Sequence, residues 1–67
     1  MELSARNQLK GKVKTVQTGA IMAEVVVDVS GTDVVAEITK GSVERLNLKQ
    51  GDAVTVIVKS TEIMIGK

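Results

Sequence analysis

The chain has 67 residues and carries nine Lys and Arg against eight Asp and Glu, with no Cys, His, Phe, Tyr or Trp. The missing Cys and His exclude disulfides and ordinary zinc sites, and the net charge of +1 lacks the basic excess of a duplex-binding protein. So short a chain makes one domain, residues 1–67, and buries little surface alone, so we expect it to oligomerise. Because it shows no signal peptide and no apolar run of about 18 residues, we expect a cytoplasmic protein that does not bind membranes.

Alternation of polar and apolar residues predicts the first strand at residues 10–16. Three lysines share its solvated face, and the residues predicted on the other face are Gly11, Val13 and Thr15. Residues 17–20 are predicted to turn, because Gly19 can adopt a positive φ angle. The N–H groups of Thr18, Gly19 and Ala20 could then face an anion, and three copies around a symmetry axis would make a second class of site. The plainer alternative is an ordinary hairpin turn.

The longest predicted strand covers residues 21–29. Its apolar face consists of Ile21, Ala23, Val25, Val27 and Val29. The opposite face is otherwise polar, so the neighbouring apolar side chains of Met22 and Val26 indicate a contact surface there. A turn at residues 30–32 leads to a third strand at residues 33–38, which places Val34, Ala36 and Ile38 on one face.

A short helix is predicted at residues 40–46. Thr39 is a suitable N-cap residue, and Asn47 suits the left-handed position that follows a helix. Val43 and Leu46 are three residues apart, so both are predicted to cover the open end of a small barrel.

Two more strands complete the predicted fold. After a turn at residues 50–52, the fourth strand covers residues 53–59, with Val54, Val56 and Val58 facing inward. Residues 63–65 predict a short fifth strand. Five short strands with a helix between the third and fourth are typical of an all-β, five-stranded OB-like barrel.

The residues that could carry chemistry favour binding over catalysis. The chain has no nucleophile–base pair, no metal-ligand cluster and no nucleotide-binding motif, so an enzyme is not predicted. Ser4, Arg6 and Asn7 supply hydroxyl, guanidinium and amide donors, and Lys59-Ser60 supplies a second cation and hydroxyl. Such donors suit an oxyanion. The alternatives are a solvated, frayed N-terminus and an ordinary charge at the end of a strand.

A family resemblance strengthens the oxyanion interpretation. Residues 4–11, Ser-Ala-Arg-Asn-Gln-Leu-Lys-Gly, resemble the opening signature of the molybdenum-pterin-binding (Mop) domain family, the molbindins. Residues 38–52 resemble the helix and turn of that family, and residues 54–60 resemble its closing segment, so the resemblance covers the whole chain. Gly41 and Asn47 depart from the usual family pattern near the two helix ends, away from the expected ligands.

The resemblance implies a protein that binds molybdate at subunit interfaces for intracellular molybdenum storage or homeostasis, as a homohexamer arranged as a trimer of dimers. The implied ligands, with Ala5 acting through its main chain and Asn7 included as a neighbouring donor, are Ser4, Ala5, Arg6, Asn7, Lys59 and Ser60. Ser42 and Arg45 match positions that contribute in some relatives. Tungstate has the same charge and shape as molybdate, so both anions are expected ligands.

Two other functions are weighed against this one. An OB-type module that binds single-stranded nucleic acid stacks bases on aromatic side chains, and this chain has none. A regulatory module that senses the anion would need an effector domain, which we do not expect in a chain of this length.

Overall fold

Four antiparallel strands and one short helix form the fold of residues 1–67, all of which the computed structural model describes. The elements in chain order are β1 (Asn7–Thr18), β2 (Met22–Val29), β3 (Thr32–Thr39), α1 (Lys40–Leu46), β4 (Ala53–Val58) and a 3₁₀ helix (Ser60–Glu62). The strands make a single sheet in the order β3-β2-β1-β4. Neither helix has the length and apolar character needed to cross a membrane.

The first strand is longer than predicted, and it is shared between two neighbours. Its residues Asn7–Lys12 pair with β4, and its residues Lys12–Thr18 pair with β2. The register shifts at Lys14, because Val13 lies opposite Val27 while Thr15 lies opposite Val26. This β-bulge reverses the alternation of faces.

Thr15 is therefore exposed and Val16 packs against the core, so the prediction that placed Thr15 beside Val13 is wrong. The longest strand is β1 and not β2, contrary to the sequence prediction.

Gly11 allows β1 to pass close over β2. A Cβ atom at this position would lie 2.5 Å from the carbonyl oxygen of Asp28 and 2.8 Å from a methyl carbon of Val27. Real Cβ atoms do not approach backbone oxygen so closely, so any larger residue would push the strands apart. Gly11 thus permits the close approach of β1 to the end of β2.

Two turns connect the first three strands, and they differ in conformation. Ser30 and Gly31 have φ angles of 50° and 90°, as in the type I′ turn that suits a two-residue hairpin. The Gly31 N–H also donates to a carboxylate oxygen of Asp28 at 3.0 Å. Gly19, by contrast, does not adopt a positive φ, and the chain turns at residues 19–21 after β1 has extended through Thr18. The turn predicted at residues 17–20 is therefore displaced.

The helix is confirmed at the predicted residues with the predicted caps. The Thr39 hydroxyl accepts a hydrogen bond from the Ser42 N–H at 3.0 Å, as an N-cap residue does. Asn47 adopts the left-handed conformation, with φ 52° and ψ 48°. Val43 is buried as predicted, but Leu46 is 61% exposed, so the prediction that Leu46 covers the core is wrong.

The core of the single chain is small. It consists of Val13, Ala23, Val25, Val27 and Val43. The inward face predicted for β2 is confirmed, except that Ile21 precedes the strand and is 74% exposed. The side chains predicted to face inward from β3 and β4 are only half-buried. Five buried residues form a very limited core for a domain of this size, so the fold leaves apolar surface uncovered.

The predicted fifth strand does not form. The chain leaves β4 at Val58, one residue before the predicted end of that strand, and enters the 3₁₀ helix, where the Glu62 N–H donates to the Lys59 carbonyl at 3.0 Å. Residues 63–65 pair with no strand of the sheet, and Met64 is 92% exposed. The sheet is consequently open and four-stranded. The predicted mostly β fold with one short helix is confirmed, whereas the closed five-stranded barrel is not confirmed in the single chain. An apolar groove of about 250 Å³ lies along its inner face, from β3 across to β4.

Candidate oxyanion site

The two polar segments predicted to bind an anion lie side by side. Asn7 pairs with Val58, so the residues that precede β1 run beside the residues that follow β4. Together they line one solvent-open hollow of about 720 Å³. Its lining residues are Ser4, Ala5, Arg6, Asn7, Lys59, Ser60 and Thr61. The structure thus brings together all six residues predicted for the main site, and it adds Thr61.

The side chains around this hollow are almost all hydrogen-bond donors. Arg6 and Lys59 bring two positive charges, and no carboxylate lines the hollow. Neither cation is paired within the chain, because the only salt bridge joins Lys14 to Asp33 at 3.1 Å. Three hydroxyl groups and the amide of Asn7 add neutral donors. Such a surface suits a ligand with negative charge and several acceptor oxygens.

A glutamine on the first strand holds the segment that leads into the hollow. The side-chain Nε2 of Gln8 donates a hydrogen bond to the Ala5 carbonyl oxygen at 2.7 Å. Gln8 lies opposite Ile57 on the other face of the sheet from Asn7, and it does not line the hollow itself. In the sequence, the only sign of this contact is the amide side chain of Gln8 within the opening motif.

The other candidate oxyanion-binding residues, in the Thr18–Ala20 turn and in α1, lie at the other end of β1. The turn after Thr18 is tied to the start of α1, because the Lys40 N–H donates to the Ile21 carbonyl at 2.7 Å. The Gly19 N–H is not free to face an anion, since it donates to the Met22 carbonyl at 2.7 Å. The predicted role of this N–H is therefore not supported.

The two helix residues that the resemblance suggests as further ligands, Ser42 and Arg45, bond to each other. The Ser42 hydroxyl oxygen accepts hydrogen bonds from the Thr39 hydroxyl at 2.8 Å and from the Arg45 guanidinium at 3.4 Å. Neither Ser42 nor Arg45 lines a hollow in the single chain, and the same is true of Thr18, Gly19 and Ala20. Their part in a second site stays a prediction. No group of His, Cys, Asp and Glu in the chain could hold a metal ion.

Comparison with known proteins places these features in a family. Residues 3–65 match the model of the TOBE domain. Molybdenum-pterin-binding protein 3 of Clostridium pasteurianum is 48% identical over 66 residues, which cover 97% of each chain. The chain belongs to the molybdenum-pterin-binding (Mop) domain family. The family predicted from the opening motif is thereby confirmed.

Solved structures resemble this Mop domain along all or most of its length. A molybdate-binding protein from Sporomusa ovata has 46% sequence identity and a TM-score of 0.95, with each chain fully covered. ModG, a cytoplasmic molybdate-binding protein solved with molybdate bound, has 43% identity and a TM-score of 0.84 over 90% of this chain and 43% of its own. The similarity therefore extends both to proteins of the same length and to part of a longer one.

The hollow of the Mop domain is open to solvent. Arg6, Lys59 and Ser60 are exposed, and Ala5 and Asn7 are half-buried. Water weakens each contact between such donors and an anion, and a second surface placed over the hollow would strengthen them. In the single chain these donors therefore remain in contact with water.

Proposed function

We propose that this Mop domain binds molybdate, and equally tungstate, in the hollow between the N-terminal segment and the end of β4, and that it serves intracellular molybdenum storage or homeostasis. The observation that carries the proposal is the convergence of two unpaired cations with hydroxyl and amide donors in a hollow without carboxylates. The relatives are named as binding proteins and not as enzymes, which supports binding without catalysis. The cytoplasmic description of ModG supports the same location for this chain.

Each lining residue has a role that follows from its chemistry. Molybdate is a tetrahedral dianion with four acceptor oxygens. The planar fork of Arg6 can donate to two of these oxygens, while the ammonium of Lys59 acts as a compact charge from the neighbouring segment. The hydroxyls of Ser4 and Ser60 and the main-chain N–H groups near Ala5 can complete the donor set. Hydrogen bonds to a charged partner are each worth about 1.5–3 kcal/mol, so several together can outweigh the hydration of the anion.

The site is completed at a subunit interface. The single chain exposes Met22, Ile57 and Met64 and leaves the groove between β3 and β4 uncovered. Apolar surface of this extent favours association with further copies, and a partner that fills the groove would close the sheet into a barrel. The homohexamer implied by family resemblance, a trimer of dimers, accounts for both features.

A second class of site would then form around a symmetry axis. The Thr18–Ala20 turn and the start of α1 meet at the end of β1 that is remote from the first hollow. Three copies of the Ser42 hydroxyl and the Arg45 guanidinium at such an axis would give six donors where one chain has no hollow.

Calorimetric titration of the purified protein tests the proposal. Molybdate and tungstate should bind with similar affinity, and sulfate much more weakly. The smaller sulfate cannot reach every donor of a site shaped for molybdate, and each unpaired donor costs about 1–3 kcal/mol. A single-stranded oligonucleotide should give no heat above dilution. Equal affinity for the three anions would indicate a non-specific basic surface, and tight oligonucleotide binding would favour the nucleic-acid alternative.

A further inference from the structure

The hydrogen bond between Gln8 and Ala5 fixes the direction of one peptide group beside the hollow. Every peptide bond in the chain is trans, so the Ala5 carbonyl and the Arg6 N–H, which belong to the same planar group, point in opposite directions. Gln8 draws the Ala5 carbonyl toward the face of the sheet that lies away from Asn7. The Arg6 N–H then points away from Gln8, toward the face of the sheet that carries Asn7, which lines the hollow.

The Arg6 N–H is available to a ligand. It has no hydrogen-bond partner within the chain, and Arg6 lies just before the first residue of β1, where the sheet no longer constrains the peptide. A peptide at such a position can rotate unless a side chain holds it. In the rotated orientation the carbonyl oxygen would face the hollow, where it would repel an oxyanion.

The geometry points to Gln8 as a positioning residue for oxyanion binding. It does not touch the anion. By holding the Ala5 carbonyl at 2.7 Å, it keeps a repelling oxygen out of the hollow and presents the Arg6 N–H in its place. The same side chain also lines a neighbouring hollow together with residues 1–4. This inference rests on the proposed function, since it concerns the same site.

Two variants and one control separate positioning from simple anchoring. Gln8→Met keeps the length of the side chain but cannot donate, and Gln8→Glu places an acceptor against the carbonyl. Gln17→Met removes a matched amide from an exposed position at the far end of β1. The readouts are molybdate affinity by calorimetry and the ¹H–¹⁵N resonance of the Arg6 amide with and without molybdate.

In the wild type, molybdate should shift the Arg6 amide proton strongly downfield. Gln8→Met should bind molybdate roughly three- to tenfold more weakly, the loss expected for one modest hydrogen bond, and its Arg6 resonance should respond much less. Gln8→Glu should lose more affinity, because its carboxylate repels both the carbonyl and the anion. Gln17→Met should behave as the wild type, and the midpoint of thermal unfolding should be unchanged in all three.

Two results would overturn the inference while leaving the proposed function intact. The first is wild-type affinity in Gln8→Met. The second is reduced affinity with a full downfield shift of the Arg6 amide, which would show that Gln8 anchors the chain without directing the peptide. A wild-type protein that does not bind molybdate at all would refute the proposed function itself.

Discussion

Replacing Arg6 by alanine removes one of the two cations in the hollow. The guanidinium has no partner in the chain, so nothing else is left unpaired by its removal, and the loss should appear in binding alone. A charge-assisted hydrogen bond is worth about 1.5–3 kcal/mol, and each 1.4 kcal/mol is a factor of ten. We therefore expect Arg6→Ala to bind molybdate roughly ten- to a hundredfold more weakly at this class of site. Calorimetric titration beside the wild type measures the difference.

The fold should not suffer, because Arg6 is exposed and precedes β1. Arg6→Lys should recover only part of the affinity, since an ammonium cannot reproduce the planar fork. Lys12→Ala is the control, because Lys12 is exposed on β1, opposite Ala53 on one side and Asp28 on the other, and does not line the hollow. It should weaken binding slightly, and less at higher salt. If Arg6→Ala and Lys12→Ala had equal effects, the N-terminal segment would not be the site.

Two further predictions concern the fold and the assembly. Gly11→Ala should lower the free energy of unfolding by about 1–3 kcal/mol, because its Cβ would meet the Asp28 carbonyl at 2.5 Å. In the control variant Gly41→Ala, the atom nearest to the new Cβ would lie 3.9 Å away, so the free energy of unfolding measured by thermal unfolding should not fall. Light scattering at micromolar concentration should give a mass about six times that of the 7.1 kDa chain, and Met22→Glu should lower it if the exposed Met22 is a contact. A monomeric mass with cooperative unfolding would contradict the interface site.

Local signals in the sequence are sufficient to predict the helix and its two capping residues. Thr39 and Asn47 cap α1 through contacts within a few residues, so their roles can be predicted without knowing the rest of the fold. The alternation in β2 survives because this strand is paired with β3 along its whole length and with β1 from Ala23 to Asp28. Where neighbouring residues alone determine the structure, the sequence predicts it well.

The errors arise where distant contacts decide the structure. Nothing in the sequence around Lys14 signals the bulge, which depends on how β1 fits β2. Residues 63–65 have strong strand propensity, but a strand needs a neighbour, and these residues, which follow the 3₁₀ helix, pair with no strand of the sheet. Leu46 has a helical spacing that suits the core, yet it faces an opening that one chain does not cover.

The candidate site was predictable in its residues but not in its shape. Residue chemistry and the family resemblance together predict the opening motif and Lys59-Ser60, and the register of β1 with β4 explains why they meet. Thr61 was not predicted, because only the 3₁₀ turn brings its hydroxyl to the hollow. Gln8 and Ala5 are three residues apart, but the direction of their hydrogen bond depends on the conformation before β1.

The position of the bound anion tests the central claim most directly. Tungsten scatters X-rays anomalously, so crystals grown with tungstate would locate each anion without prior assumptions about its ligands. We predict a strong anomalous peak in the hollow, with anion oxygens about 2.7–3.2 Å from the donor atoms of Arg6 and Lys59. Peaks confined to other surfaces, such as the lysines in the middle of β1, with none in the hollow, would contradict the account.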